Sequence, residues 1–344
     1  RDWSSDVCSS YLNKIISNSL FYNDPDGTIV FMDSTMGRTE YFLAANDHFL
    51  APDSIKVDPS SNLRATSNSA DYIIITHADF VPIAERLKTI RTQNFTDKTI
   101  INPRIVVVKA EDIYDEFSNG LLSPFAIRDF LQYAFNNWQR PSFIYTVLIG
   151  DMSHDYRGLL PSSQPNFLPS MPYHSYTYGQ AVADNMFGTI VGSDLIPDIA
   201  LSRIAIETIA EGNTFLDKLQ GYPADRSKQW RNTTLLMSSG QDAEDEARFE
   251  FNAASISLND NFLRHNGFNS RIIMKFPNRI EYQQFQGSTL EIKDAFNKGA
   301  VLANYYGHGG GFQWDLTFLT EDIPTLRNVG RLPFILSVTC YTAH

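Results

Sequence analysis

The chain has 344 residues, of which 43% are hydrophobic and 13% aromatic, and its formal net charge at pH 7 is −11. This composition is typical of a folded chain with a sizeable core, and the length allows two average domains. The negative charge and the lack of long Lys or Arg runs exclude nucleic acid as a partner, because nothing attracts a polyanion. The apolar runs are far shorter than the roughly 20 residues of a membrane helix, so we expect no membrane-spanning segment in this sequence.

The beginning of the chain differs in character from the rest. Residues 1–12, RDWSSDVCSSYL, have no hydrophobic period and resemble a translated sequencing adapter, so we predict that they are not native. They contain Cys8, which leaves Cys340 as the single cysteine of the protein proper and excludes a disulfide framework. With Cys340 four residues from the end, we expect a fragment truncated at both termini. Residues 13–69 hold short alternating stretches, TIVFMD and TEYFLAA, which predict β-hairpins before a polar linker.

Residues 70–229 alternate between strand and helix patterns and predict a first α/β subdomain. The helix SPFAIRDFLQYAFNNW is expected to start with Ser123 as N-cap and Pro124 at its first position. Continuous β-branched runs alternating with helices indicate a mostly parallel sheet covered on both faces. The predicted strands are DYIIITH, RIVVVKA and YTVLIGD, and PIAERLKTIRTQ is a further helix.

The alternation restarts in residues 230–344, which predicts a second α/β subdomain. Its helices are expected around RFEFNAASISLNDNFLRHNG and TLEIKDAFNKG. Its strands are expected at TTLLMSSG, RIIMKF, AVLANYYGHGG and LPFILSVTC. The whole chain is therefore predicted to be of the α/β class.

A histidine and a cysteine, which can act together as base and nucleophile, lie at the ends of strands in this second subdomain. His308 follows AVLANYY and Cys340 ends LPFILSVTC, so both lie at carboxyl ends of strands, where α/β sheets place functional groups. We expect these strands to be neighbours, because an imidazole beside a thiol can take its proton or stabilise the thiolate. The glycines around His308 let a substrate backbone approach, and the amides of Gly309 and Cys340 can face the oxygen of a tetrahedral intermediate.

Simpler interpretations of these residues stand beside the catalytic one. A histidine among glycines is often part of a structural turn, and a lone cysteine often serves as a small core residue. The stretch HGGG also occurs in the oxyanion loop of some esterases, but the G-x-S-x-G pentapeptide that this class needs does not occur in the sequence. We expect His77, which closes DYIIITH, to serve in a turn or cap, and GDMSHDY to be a polar loop rather than a metal site.

The same residues carry a resemblance to a known family. NYYGHGG and the LPFILSVTC that follows it resemble the His and Cys motifs of the gingipain-like cysteine peptidases, family C25. Over roughly residues 70–344 the sequence also resembles that family, in the same order, at DYIIITH, VVVKAEDIYDEFSNG, AIRDFLQYAF, VLIGDMSHDY and DNMFGTIVGSDLIPDIALSRIAIET. The resemblance implies a caspase-like fold: two consecutive α/β units with mostly parallel sheets, preceded by a short β-rich segment.

The resemblance also implies roles for individual residues. His308 becomes the general base and Cys340 the nucleophile, with the Gly309 and Cys340 amides as the oxyanion hole. In the family a carboxylate that orients the histidine follows the strand corresponding to TTLLMSSG. Here that place reads GQDAEDE, so Asp242 is the candidate, with Glu244 behind it.

Cofactors, partners and location follow from the resemblance as well. The chemistry requires no cofactor, whereas family members bind structural calcium, for which Asp184, Asp194 and Asp198 are suggestive ligands. Protein or peptide substrates are expected, and the type IX secretion machinery is a candidate partner. The expected location is secreted or at a bacterial cell surface.

The function implied is that of a cysteine endopeptidase, which hydrolyses peptide bonds through a Cys-His dyad and a thioester acyl-enzyme. One alternative is a sortase-like transpeptidase of type IX secretion within the same family, because hydrolysis and transpeptidation share the acyl-enzyme. Another alternative is a peptidase-like module that no longer cuts and serves in binding.

Overall fold

The computed structural model divides into two compact units, residues 1–59 and 60–344. In the first unit, β1 (Phe21–Asn23) pairs antiparallel with β2 (Ile29–Phe31), which confirms a hairpin at TIVFMD. TEYFLAA and the adapter-like residues 1–12 lie outside the residues that the structure describes. Those described are 21–23, 29–31, 55, 57–95, 97, 99–153, 155–161, 165–176, 179–222, 229–240, 244, 247–248, 250–276, 283–315 and 317–341.

The second unit begins with a four-stranded parallel sheet. Its strands lie in the order β4-β3-β5-β8, and a small antiparallel hairpin, β6-β7, is inserted before the last of them. The bounds of the strands are β3 (Tyr72–Thr76), β4 (Ile105–Lys109), β5 (Tyr145–Ile149), β6 (Pro172–Ser175), β7 (Gly179–Val182) and β8 (Ala200–Ile204). The helices of this part are α1 (Val81–Gln93), α2 (Ala110–Ser118), α3 (Pro124–Asn137) and α4 (Ile209–Gln220).

Helices cover both faces of this first sheet, as the β-branched runs predict. Along β3 successive side chains point to opposite faces. Ile73 and Ile75 belong to a core with α2 and α3, whereas Tyr72 and Ile74 belong to a second core with α1 and α4. All three isoleucines are fully buried, so the continuous apolar run reflects two hydrophobic layers.

The helix starts confirm the predictions in part. Ser123 is the N-cap of α3 and Pro124 its first residue, but the Ser123 side chain makes no capping hydrogen bond. The strand prediction RIVVVKA did not foresee α2, which starts directly after Lys109. No glycine or proline separates strand from helix there, so the sequence has no local signal for the change.

A second parallel sheet repeats the strand order of the first. It runs β10-β9-β11-β14, so in each sheet the strand that comes first in the chain lies second in space. Its strands are β9 (Thr233–Ser239), β10 (Asn269–Lys275), β11 (Leu302–Tyr306) and β14 (Phe334–Val338). Along the chain, a hairpin of β12 (Gln313–Trp314) and β13 (Phe318–Leu319) comes between β11 and β14. Its helices are α5 (Phe251–Leu258) and α6 (Thr289–Lys298), and none of the described helices is both long and apolar enough to cross a membrane.

The two faces of the second sheet are covered unequally. Tyr305 of β11 and Met237 of β9 are buried with α6, and Ser238 on the opposite face donates a hydrogen bond of 2.6 Å to Asn252 of α5. The strand predicted at LPFILSVTC is confirmed, but every residue of β14 is exposed, including Phe334 at 66% and Leu336 at 40%. The reason is its place at the edge of the sheet, where the described part of the chain leaves it uncovered.

An ion pair between a buried aspartate and a partly buried arginine joins the starts of two strands in the first sheet. Asp71 precedes β3 and Arg104 precedes β4. The Arg104 guanidinium donates to the Asp71 carboxylate at 2.6 and 3.0 Å, and the Arg104 backbone N–H donates at 2.7 Å. These hydrogen bonds from Arg104 hold the pKa of Asp71 below its ordinary value. The pair therefore favours the folded state whenever the carboxylate is ionised.

The Asp71 pair predicts a pH-dependent stability. Because the folded pKa is the lower one, its contribution is fully present above the unfolded Asp value near 4, and is lost as the pH falls through the folded pKa. We expect Asp71→Asn to lower the free energy of unfolding by about 2 kcal/mol at pH 7, and by progressively less below pH 4. Urea unfolding from pH 7 to pH 3 measures this difference. Asp217→Asn, which breaks the exposed pair with Arg86, is the control, and a difference for Asp71→Asn that does not vary with pH would contradict the prediction.

Candidate active site

The pairing of β11 with β14 places His308 and Cys340 at equivalent positions. The two strands are parallel neighbours, with Leu302 opposite Phe334 and Tyr306 opposite Val338, so paired residues differ by 32 in number. His308 and Cys340 keep that difference two residues beyond the last pair. The expectation of neighbouring strands is thus confirmed, and the two chains leave the sheet side by side, roughly 5 Å apart as in any strand pair.

The surroundings of the two residues suit different tasks. The His308 ring is half-buried and meets the ring of Phe251 edge to face, with centroids 5.1 Å apart and planes at 86°. Cys340 carries a free thiol and is exposed among the described residues. Reactive cysteines need such access, and an aromatic wall restricts the orientations of an imidazole.

The glycine-rich turn after β11 lies directly against the chain that carries Cys340. A Cβ atom added to Gly309 would come within 2.8 Å of the Cys340 carbonyl oxygen and would overlap the Thr339 side chain. Glycine is therefore required here for the close approach of the two segments. The turn then closes by two hydrogen bonds between Gly310 and Gln313, with N···O distances of 3.0 and 3.2 Å.

Aromatic side chains that sequence reasoning missed support this turn. The Tyr305 hydroxyl donates to the His308 carbonyl oxygen at 2.6 Å, and Trp314 stacks on the Tyr305 ring at 4.8 Å. Phe251, which contacts the His308 ring, comes from the start of α5. In the sequence these residues look like ordinary core positions. Only the clustering of NYY and FQW around the glycines could have pointed to them.

The structure does not describe the carboxylate that is predicted to orient His308. Asp242 lies outside the described residues, and Glu244 is exposed. The third role therefore stays a prediction for Asp242.

The carboxylates suggested for calcium are already held by protein donors. Asp184 accepts two hydrogen bonds from the Arg203 guanidinium, at 2.6 and 2.8 Å. Asp198 accepts from two backbone N–H groups at 2.8 Å, and Asp194 accepts from the Ile196 N–H at 2.9 Å. Within the described ranges there is no cluster of three His, Cys, Asp or Glu residues arranged for a metal ion. These three residues do not fit a calcium site, and the expected calcium stays a prediction without assigned ligands.

His77, which follows β3, is the N-cap of a short 3₁₀ helix, Ala78–Phe80. Its Nδ1 accepts a hydrogen bond of 3.2 Å from the Asp79 backbone N–H at the start of this helix. Its Nε2 lies 3.4 Å from Glu111 Oε1. The capping role expected for His77 is confirmed.

Comparison with known proteins identifies the class. The model of peptidase family C25 matches residues 65–344. Gingipain R2 and gingipain R1 of Porphyromonas gingivalis are each 27% identical over 161 residues, which are 46% of this chain but only 21% and 15% of those proteins. Among solved structures, the complex of the P. gingivalis RgpB pro- and mature domains has a TM-score of 0.58 at 24% identity, covering 78% of this chain and 55% of that one. The Arg-specific cysteine proteinase gingipain R (RgpB) has a TM-score of 0.57 at 22% identity, covering 83% and 57%.

These findings establish fold and family in turn. The two parallel sheets with their helices form the caspase-like α/β fold that the gingipain structures share. The chain belongs to peptidase family C25, a family of cysteine peptidases, as the sequence motifs predict. It spans only about a fifth of gingipain R2 and just over half of the RgpB chain in the complex.

The contact of Gly309 with the Cys340 segment predicts a selective effect of one methyl group. We expect Gly309→Ala to lower the free energy of unfolding by about 1–3 kcal/mol, because the new Cβ overlaps Thr339 and Cys340. Gly310→Ala is the matched control: its added Cβ would meet nothing within 4 Å, so we expect a change within about 0.5 kcal/mol. Urea unfolding measures both variants, and equal losses would contradict the predicted contact.

Proposed function

We propose that this protein is a secreted or cell-surface cysteine endopeptidase, with Cys340 as the nucleophile and His308 as the general base. The observation that carries the proposal is that each of these residues lies two positions beyond the last residue pair of β11 and β14, Tyr306 with Val338. An exposed thiol and a half-buried imidazole at one sheet edge are the two groups that thiol acyl transfer requires. Membership of family C25 supports the same chemistry.

The first half of the reaction forms the acyl-enzyme. His308 takes the thiol proton, and the Cys340 sulfur forms a bond to the peptide carbonyl carbon as the π electrons move to oxygen. The amides of Gly309 and Cys340 are the proposed donors to that oxyanion, in keeping with the close contact between the two segments. The carbon–nitrogen bond then breaks, and the His308 imidazolium donates its proton to the leaving amine, which leaves a thioester on Cys340.

The second half releases the acyl group. His308 takes a proton from water, and the water oxygen bonds to the thioester carbon. The carbon–sulfur bond then breaks, and the His308 imidazolium gives its proton to the sulfur, which regenerates the thiol and the free base. An amine in place of water would give transpeptidation from the same intermediate. Asp242 is proposed to orient the imidazole, and the ring of Phe251 limits its rotation from one side.

The family relationship supports the wider proposals. Protein or peptide substrates follow from peptidase chemistry, and location outside the cytoplasm and contact with the type IX secretion machinery follow the gingipain-like resemblance. Calcium is proposed as a structural ion only, since the steps above use side chains and water alone.

Covalent labelling tests the dyad directly. The full-length protein is incubated with calcium and a library of peptidyl acyloxymethyl ketones that vary in the residue before the ketone, and the adduct is located by mass spectrometry. We expect an adduct on Cys340, none in Cys340→Ala, and at least a ~100-fold slower reaction in His308→Ala, since the thiol loses its base. The side chain that labels fastest identifies the substrate preference.

The other outcomes separate the alternative functions. A folded protein that gives no adduct with any probe is a peptidase-like binding module, and the proposal is then wrong. Labelling indicates a transpeptidase if, in addition, a peptide substrate is converted to amide products rather than acids when an amine is added. Asp129→Ala, a change to an exposed carboxylate on α3, is the control and is expected to label at the wild-type rate.

A further inference from the structure

A chain of polar and aromatic contacts lies beneath the His308 turn, and Tyr305 is at its centre. The Tyr305 side chain is fully buried at the end of β11. Its hydroxyl lies 2.6 Å from the His308 carbonyl oxygen and 2.8 Å from Ser239 Oγ, at the end of β9. The carbonyl can only accept, so the single phenolic proton points to His308, and Ser239 must donate to the Tyr305 oxygen.

The proton of this hydroxyl is firmly held. Burial raises the pKa of Tyr305 well above its ordinary value, and the nearby charge of Asp315 raises it further. The hydroxyl therefore remains a donor to the His308 carbonyl at any pH at which the protein works.

Position 307 has room only for glycine because of this hydrogen bond. A Cβ on Gly307 would lie 2.6 Å from the Tyr305 hydroxyl oxygen and 2.7 Å from Ser239 Oγ. Gly307 and Gly309, on either side of His308, are thus each in close contact with a different partner. Tyr305 and Ser239 hold one side of the turn, and Thr339 with Cys340 bounds the other.

Trp314 links the same tyrosine to the strand of the cysteine. The Trp314 ring stacks on Tyr305 with planes only 7° apart, and its indole N–H donates to Ser337 Oγ at 2.8 Å. Ser337 is opposite Tyr305 in the strand register and precedes Cys340 by three residues. One tyrosine ring is therefore in contact with groups that position both members of the dyad.

We propose that Tyr305 is a positioning residue for the dyad: its hydroxyl fixes the backbone of His308, and its ring, through Trp314, fixes the segment that leads to Cys340. Tyr305 touches no reacting atom and acts through His308. This inference rests on the proposed cysteine peptidase function and names residues that determine the distance between base and nucleophile. Errors of about 1 Å in such distances can slow catalysis about 100-fold.

The test compares two tyrosine-to-phenylalanine variants of the full-length protein. Tyr305→Phe removes the hydroxyl bonded to the His308 carbonyl. Tyr133→Phe, on α3, removes a hydroxyl that donates to the backbone carbonyl of Arg64 at 2.7 Å. Both variants lose a hydroxyl that donates to a backbone carbonyl, and Tyr305→Phe also loses the hydrogen bond from Ser239. A merely structural role predicts unchanged kinetics for both.

The readout is the alkylation rate of Cys340 by iodoacetamide from pH 4 to pH 10, followed by mass spectrometry, together with kcat and KM on a peptide substrate. In wild type we expect the alkylation of Cys340 to depend on His308, because the imidazole accepts the thiol proton. Tyr305→Phe should lose about 10- to 100-fold of its rate at pH 6 and a similar factor in kcat, with KM little changed. Tyr133→Phe should keep the wild-type profile. Trp314→Phe, which keeps a ring but lacks the N–H, should show a smaller loss in the same direction and replaces Tyr305→Phe if that variant does not fold.

The outcomes distinguish this inference from the proposed function. If the wild-type reactivity of Cys340 depends on His308 but Tyr305→Phe behaves like Tyr133→Phe, the positioning role is wrong and the dyad stands. If Cys340 of wild type reacts as an ordinary thiol and His308→Ala changes nothing, both proposals are wrong.

Discussion

The parallel register between β11 and β14 is the constraint on which the candidate site depends. Because side-chain direction alternates along a strand, a shift of one residue would move Cys340 away from His308 and separate Ser337 from Tyr305. Trp314 contacts both strands, since it stacks on Tyr305 of β11 and donates to Ser337 of β14. Beyond the strand ends, Gly309 packs against Thr339 and Cys340, so both contacts support the same register. The candidate pair is thus positioned by two paired strands and not by two loops.

The sequence predicted every strand of the two parallel sheets except β8, and it predicted that His308 and Cys340 lie at strand ends, because apolar runs that end in glycine or polar residues identify parallel strands. It did not predict α2, because no glycine or proline marks the change from strand to helix after Lys109. It also did not predict the exposure of β14, because an apolar strand has the same sequence pattern at the edge of a sheet as in its centre. The roles of Tyr305 and Trp314 were also beyond it. A buried tyrosine in a strand resembles any core residue until the register and the turn bring its hydroxyl to a carbonyl three residues later.

The two sheets have the same strand order although no sequence repeat connects them. Right-handed crossovers in parallel sheets restrict the arrangements available, so similar patterns reach similar topologies. Each sheet also has a histidine just beyond a strand, with different outcomes. The Nδ1 of His77 is occupied by the Asp79 N–H and the ring serves as a cap, whereas glycines surround His308 and a thiol lies across from it. The neighbours of the imidazole, and not its position in the fold, separate a structural histidine from a candidate base.

The position of β14 at the edge of the sheet has a consequence for access to Cys340. Its five residues, FILSV, carry no charge and no proline, and one edge has no strand beside it among the described residues. Unprotected edges of this kind pair with strands of other molecules, and short uncharged β-branched segments are prone to form cross-β aggregates. A strand that pairs with this edge of β14, whether from the same polypeptide or from another molecule, would therefore also narrow the approach to the thiol.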